Sequence, residues 1–537
     1  MPTPKVLPGA QLIPINLTAP AFMGLNTERA GTILESTWAT SLDNAIFDAS
    51  GRPASRLGWT SLTGTAGAGV IKRVFEYYKA DTTSEIIGST DADIFNSLLT
   101  TPVSIDGTLT ISDGNIKFVN FNDKCIAFGI GAAGVPAVKT TGNFTSVVVS
   151  AGTAPTSGIG TSAFGRLWGV DTDGKTLRYC ALLDETDWST GGGGGSIDFS
   201  KVWPSGQDDI VAVEEFGGDL VVFGSNNTVI MTDGAGAGLG IDPTALYVSD
   251  TIPGQGALTQ FAIARAAGDL WVLTATGLIA LKRELVQKST PVSNLSKNVQ
   301  SSMIAFLTAE TSVQDISLVY SPSHAMVVAN FPNTNKQVIF DVRSPMEDGT
   351  YRATTWTSDL QTLTYDRKNK RLVGTLTGAV GKLMSYSGHS DNGTTFTFDY
   401  ESGWMDLGTE LNVFLKFVKR LTSFIFVEQN VQVTHKIYYD FKTAGYSLQK
   451  SITGGRAIEW NQFEWGANGK YDKDDPLAIA AVDYAEWAAQ VQLSTIDAPT
   501  FGGGGQYIKV GLSLNTAAGI FILQQINLYT KIGRNAT

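Results

Sequence analysis

Gly218-Asp219-Leu220-Val221-Val222-Phe223 and, about 50 residues further on, Gly268-Asp269-Leu270-Trp271-Val272-Leu273 share one register. Each apolar run is followed by a polar turn, Ser225-Asn226-Asn227-Thr228 in one case and Thr274-Ala275-Thr276-Gly277 in the other. An apolar run, a turn and a second apolar run are what a β-hairpin looks like in sequence. Weaker copies begin near Glu85-Ile86-Ile87-Gly88, Lys124-Cys125-Ile126-Ala127-Phe128, Arg166-Leu167-Trp168-Gly169-Val170, Ala325-Met326-Val327-Val328 and Arg371-Leu372-Val373-Gly374. That makes about seven hairpins between residues 84 and 386, spaced by roughly 40 to 55 residues, an interval that suits four-stranded blades. A small sheet exposes two apolar faces that only its neighbours can cover, and radial stacking also protects its edges. The expectation is an all-β chain with a β-propeller of six or seven blades. A β-sandwich whose strands fall in pairs is the alternative, because its turn chemistry is the same.

Outward from the repeats, three regions are expected. Residues 1–65 read as an N-terminal arm and first strand, in which Asp43 to Gly51 runs from short alternation into a Ser-Gly turn. Residues 66–395 read as the propeller and 396–537 as a separate C-terminal β domain, sandwich-like, with long strand-like runs at Tyr400 to Gly408, Lys419 to Glu428, Gln432 to Phe441, Tyr507 to Leu514 and Phe521 to Gly533. His435, in the alternating run Val431 to Ile437, reads as a surface or rim residue. Two short helices interrupt the pattern: one opening at Ser293 with a Ser cap and running to Leu307, the other near 476–490 after Asp475-Pro476. The glycine runs Gly191 to Gly195 and Gly502 to Gly505 read as flexible loops.

Composition bounds the function. A chain of 537 residues exceeds what one core serves, so two or three structural units are expected. With 43% hydrophobic and 17% charged residues and 58 glycines, it suits strands joined by tight turns. The net charge of -11 and the absence of any run of five Lys or Arg argue against a tight duplex-DNA surface. Cys125 and Cys180 form no CxxC pair and read as buried thiols. The first twenty residues lack the apolar stretch of a secretory signal, and no run reaches the about 18 apolar residues of a membrane span.

The search for chemistry nominates no catalytic, cofactor-binding or metal-binding residue, and no cofactor. His324, His389 and His435 lie in separate segments without HExxH spacing, and no GxSxG elbow occurs. Asp171-Thr172-Asp173-Gly174 resembles a calcium loop only superficially, since its twelfth position falls on Leu182, and a hairpin turn explains it better. Asp472-Lys473-Asp474-Asp475 reads as a solvated loop and helix cap. Propellers also host glycosidases, which need paired carboxylates, but Ser390-Asp391-Asn392-Gly393 does not have the spacing of a sialidase-type aspartate box. Trp168 and Trp271 fall inside hairpin strands, whereas Trp38, Trp59 and Trp188 flank turns.

The stretch Gly24-Leu25-Asn26-Thr27, Ile33-Leu34, Trp38 to Ala45 and Gly51-Arg52-Pro53-Ala54-Ser55-Arg56-Leu57-Gly58-Trp59 resembles the opening of podovirus tail nozzle proteins, the tail tubular protein B or DNA-stabilisation group. Gly165 to Gly169, Leu177 to Leu182, Asp187 to Ser189, Phe216 to Phe223 and Gly268 to Leu281 continue the likeness, which touches most of residues 20–345. It implies a non-enzymatic virion protein of a short-tailed bacteriophage, made in the host cytoplasm and assembled as a homohexamer. That ring would continue the DNA channel below portal and adaptor, retain the genome and conduct it at ejection, with adaptor and tail fibres or needle as neighbours. An acidic conduit suits that role, since each neutralised phosphate would add a binding term that slows passage. A receptor-binding, adhesin-like propeller and a polysaccharide-degrading propeller enzyme are the competing expectations.

Overall fold

The computed structural model describes residues 12–62, 69–96, 102–204, 207–233, 241–281, 294–406, 414–427, 431–452, 490–497, 503–515 and 519–535. The expected helix near 476–490 lies outside the described residues. The fold is nearly all β, and no described helix is long and apolar enough to cross a membrane. The chain divides into two compact units, one of residues 60–352 and 357–386, the other of residues 1–59, 353–356 and 387–537.

In the larger unit the chain builds small antiparallel sheets one after another. Their first three strands are Arg73–Tyr78, Ser84–Ser89 and Ile94–Asn96 (sheet 1); Phe118–Phe121, Lys124–Ala127 and Ala137–Lys139 (sheet 2); Gly160–Ala163, Arg166–Val170 and Thr176–Tyr179 (sheet 3). Then follow Ile210–Phe216, Asp219–Gly224 and Asn227–Thr232 (sheet 4); Ile263–Ala266, Asp269–Thr274 and Gly277–Ala280 (sheet 5); Ser317–Ser321, Met326–Phe331 and Lys336–Asp341 (sheet 6); Leu360–Asp366, Arg371–Leu376 and Met384–Tyr386 (sheet 7). Each hairpin start read from the sequence falls in or just before the second strand of one of these sheets. The turn before that strand is often a two-residue one with both residues at positive φ: Asn122-Asp123, Phe164-Gly165, Gly217-Gly218 and Ala267-Gly268. This geometry matches the twist of the paired strands, so glycine recurs there.

Second strands are buried on both faces, which is why they read as unbroken apolar runs. Leu220 and Val222 pack with Trp168 and Leu177 of sheet 3, while Val221 and Phe223, on the other face, pack with Leu270, Val272 and Ile279 of sheet 5. The same pattern joins Ile87 of sheet 1 to Phe118 of sheet 2, Ile126 of sheet 2 to Leu167 of sheet 3, and Trp271 of sheet 5 to Phe340 of sheet 6. Asn330 of sheet 6 donates to the Gln361 carbonyl of sheet 7. Val373 and Leu383 of sheet 7 pack with Val74 and Ile86 of sheet 1.

Two features of this unit differ from the sequence reading. The run Gly191 to Gly195 is ordered, not a flexible loop: Ser189 caps a 3-10 turn at Thr190–Gly192, and Gly195 opens the strand Gly195–Asp198. A Cβ at Gly192 would lie 1.7 Å from the Asp187 carboxylate, and one at Gly195 2.6 Å from the Tyr179 hydroxyl, so close packing excludes side chains here. The helix begins at Gln300, after a 3-10 turn at Lys297–Val299, and ends at Ala309, without a side-chain cap. Upstream, Asn294 Oδ1 accepts from Ser296 N, and Ser296 Oγ accepts from Leu278 N, bonds that hold the chain against a strand instead of letting it coil.

The second unit consists of two sheets packed face to face. One contains Phe414–Val427 between Gln490–Asp497 and Phe521–Asn535, extended by Pro53–Ser55 and Ala45–Phe47, with Ile13–Leu17 also on Phe521–Asn535. The other runs Trp38–Asp43, Thr397–Ser402, Ile508–Asn515, Val431–Tyr439 and Tyr446–Ile452. Phe398 of one sheet meets Phe521 of the other at 5.1 Å between ring centroids. Residues 12–59 therefore do not form the separate arm read from the sequence: Ile13–Leu17 pairs with residues 526–530 and Trp38–Asp43 with residues 399–402. Alternation marks a strand but does not name its partner, and these partners lie hundreds of residues away.

Candidate functional site

In the larger unit, polar side chains gather on the first strands and just before them. Lys72 Nζ lies 3.3 Å from Asp315 Oδ2, and Asn115 Nδ2 donates to Asp315 Oδ1 at 2.9 Å, so one carboxylate just before sheet 6 ties sheets 1 and 2. Lys117 Nζ reaches Glu214 at 3.2 Å and the Gln260 carbonyl at 3.5 Å, and Gln260 Nε2 donates to the Gly158 carbonyl at 2.8 Å. Arg265 meets Glu215 at 2.9 Å. Except for the Arg265–Glu215 pair between sheets 4 and 5, these bonds join sheets that are not neighbours in sequence.

Arg73 is buried in this cluster, donates to the Gln314 carbonyl and stacks 3.7 Å over the Phe261 ring. Burial pushes its pKa down to about 9, against the opposing pull of Asp315 and Asp113. Each of Asp315, Glu214 and Glu215 faces a Lys or Arg, which makes the cluster a set of stitches between strands.

The sequence-level candidates for chemistry are dispersed. His324 Nδ1 lies 2.9 Å from Ser321 Oγ in the turn before Met326, and burial lowers its pKa. His435 is 1% exposed, not a surface or rim residue. It is in phase with Val433 and Ile437 on the inward side of its strand, and Ser423 of the facing sheet lies 2.8 Å from its Nε2. Burial first, and Lys450 second, hold its pKa at about 4. The pair has the atoms of a Ser-His dyad, but Ser423 is 0% exposed, so the bond works as a link between sheets.

Cys125 and Cys180 are buried free thiols, and burial pushes the Cys180 pKa up to about 12. Asp171 to Gly174 form a hairpin turn in which Asp171 pairs with Arg178 at 2.7 Å and Asp173 accepts from Lys175 N and Thr176 N. No cluster of three or more His, Cys, Asp or Glu suited to a metal ion occurs among the described residues.

Sequence reasoning missed a charged joint in the two-sheet unit. Arg56, with a fully buried side chain, donates to Asn44 Oδ1 at 2.9 Å and to both Asp391 oxygens at 2.8 and 2.6 Å, and stacks 3.7 Å over Phe396. The turn Ser390 to Gly393, which lacks the spacing of an aspartate box, is thus the anchor for this arginine. It also missed an aromatic group at Trp404, Phe441 and Tyr507, because its members come from three distant segments.

No family model and no curated protein matches the chain. Among solved structures, the β-propeller domain of Cps50 (Swd1) from Myceliophteria thermophila is similar at 8% identity over 61% of this chain and 99% of that one, with a TM-score of 0.36. PorZ, a surface component of the type-IX secretion system of Porphyromonas gingivalis, is similar at 12% identity over 80% of this chain and 60% of its own, also at 0.36. A galactotriose complex of TmCBM61 shares 12% identity over 26% of this chain and 65% of its own, at 0.14. These likenesses are too distant to carry a function, and none of the three is described as part of a viral tail.

Proposed function

We propose that this chain is a non-enzymatic ring subunit of a short-tailed phage tail nozzle, built from a seven-bladed β-propeller and a β-sandwich. The propeller reading is supported by the cyclic succession of interfaces, in which sheet 7 packs on sheet 1 as each earlier sheet packs on the next. It is supported too by the strand Trp59–Ser61, the fourth of sheet 7, which comes from the N-terminal side and would clasp the circle shut.

The observation that carries the nozzle reading is where its resemblance falls. Asn44 and Arg56, from the stretch most like nozzle proteins, make the buried joint with Asp391, so the likeness lies in residues that hold the fold together. In this reading six copies surround the DNA path, portal or adaptor above and fibres or needle below. The net charge of -11 lets DNA slide without sequence-specific contacts. Electron microscopy of the purified full chain tests it: six-fold rings are expected, and dispersed monomers at high concentration would contradict it.

A further inference from the structure

At one end of the second sheet of the two-sheet unit, Phe441 lies 4.9 Å from Trp404 and 4.9 Å from Tyr507, measured between ring centroids. Phe441 is 53% exposed and sits at φ 61, following Asp440 at φ 49. A bulky residue in the left-handed region is strained, and such strain persists only where surrounding structure enforces it. Here the Asp440 carboxylate enforces it by accepting from Gln506 N at 2.6 Å and Tyr507 N at 3.0 Å. Asp440 and Phe441 are the central pair of a turn closed by Lys442 N on the Tyr439 carbonyl, of the same kind as the hairpin turns of the larger unit, and it presents the ring at the end of the sheet.

Polar groups stand beside the rings. Lys509 Nζ lies 6.0 Å from the Trp404 ring and 5.7 Å from the Tyr438 ring, and bonds Glu401 Oε2 at 2.5 Å. The Tyr438 hydroxyl donates to the other Glu401 oxygen at 2.7 Å. Two residues before Glu401, and so on the same face, Asp399 pairs with Lys436 at 2.7 Å. The face therefore offers aromatic rings at one end and a row of oriented donors and acceptors beyond them, with three carboxylates, Asp43, Asp399 and Glu401, to two lysines, Lys436 and Lys509. A sugar has matching parts: apolar C–H faces that stack on rings, and neutral hydroxyls that both donate and accept. An anionic ligand would instead call for an excess of Lys or Arg.

We propose that this face binds a neutral oligosaccharide, with Trp404, Phe441 and Tyr507 stacking the terminal sugar and Glu401, Lys509 and Tyr438 bonding its hydroxyls. The proposal is independent of ring assembly. The test applies the full-length protein to an array of defined neutral and acidic oligosaccharides, then titrates the best neutral binder calorimetrically. Binding to a neutral oligosaccharide is expected, weakened about tenfold by Phe441→Ala and by Lys509→Met, each with the circular dichroism spectrum of the folded wild type. Absence of array binding, binding to acidic glycans alone, or equal affinity of Phe441→Ala would overturn it. So would loss of self-association in Phe441→Ala with glycan affinity intact, which would assign the face to a second copy of the chain.

Discussion

Arg56 places a guanidinium in a site with no solvent access, where its charge is tolerable because Asp391 meets it with both oxygens and Phe396 covers its face. Arg56→Met leaves Asp391 without its cation and is expected to cost about 3–5 kcal/mol, read as a lower urea midpoint. Asp391→Asn should cost a similar amount, since it leaves the fully buried guanidinium without its counter-charge and with one acceptor where there were two. Equal midpoints for wild type and Arg56→Met would mean the joint contributes nothing. His435 gives the residue scale a pH signature. Its folded pKa of about 4 lies below the ordinary 6.5, so the unfolded chain binds the extra proton first. Stability is therefore full above pH 6.5 and declines as pH falls towards 4. His324, whose pKa burial also lowers, adds in the same direction. The wild-type melting temperature should fall across that window more steeply than that of His435→Gln, and parallel curves would refute the assignment.

At the scale of elements, the repeat rests on a turn that demands left-handed backbone. At Gly268, φ 74, an added Cβ would meet nothing within 4 Å, so Gly268→Ala tests the backbone alone and should cost about 1 kcal/mol. Ala267 already bears that strain at φ 52, and Ala267→Gly should gain about 0.5 kcal/mol once the greater freedom of the unfolded chain is offset. Thermal melts of the two variants should move in opposite directions. This local chemistry is why the hairpins were legible: turn and apolar strand are adjacent in sequence, and burial on both faces leaves an unbroken run such as Leu220 to Phe223. The rest depends on partners. Nothing near Trp38 to Asp43 tells that it pairs with residues 399–402, and the polarity of His435 masked an inward position that its phase with Val433 and Ile437 already implied. The glycine run at 191–195 misled for the same reason, since the Asp187 and Tyr179 side chains that crowd it are invisible in composition. Trp404, Phe441 and Tyr507 could not be grouped before their strands were placed side by side.

For the whole molecule, the larger unit is a succession of sheets that each need both neighbours, so its apolar faces are satisfied only if the last meets the first. Val373 and Leu383 of sheet 7 share an apolar cluster with Val74 and Ile86 of sheet 1, the contact that the proposed closed ring calls for. The polar cluster around Asp315 and Lys117 adds ties between non-adjacent sheets, and its charges are already paired within the chain. These pairs hold strands of different sheets together. The most direct measurement is single-particle electron microscopy of the purified full-length chain. The account predicts six-fold rings in which each subunit carries a seven-bladed propeller closed by Trp59–Ser61; monomers that never form rings, or a different number of blades, would contradict it.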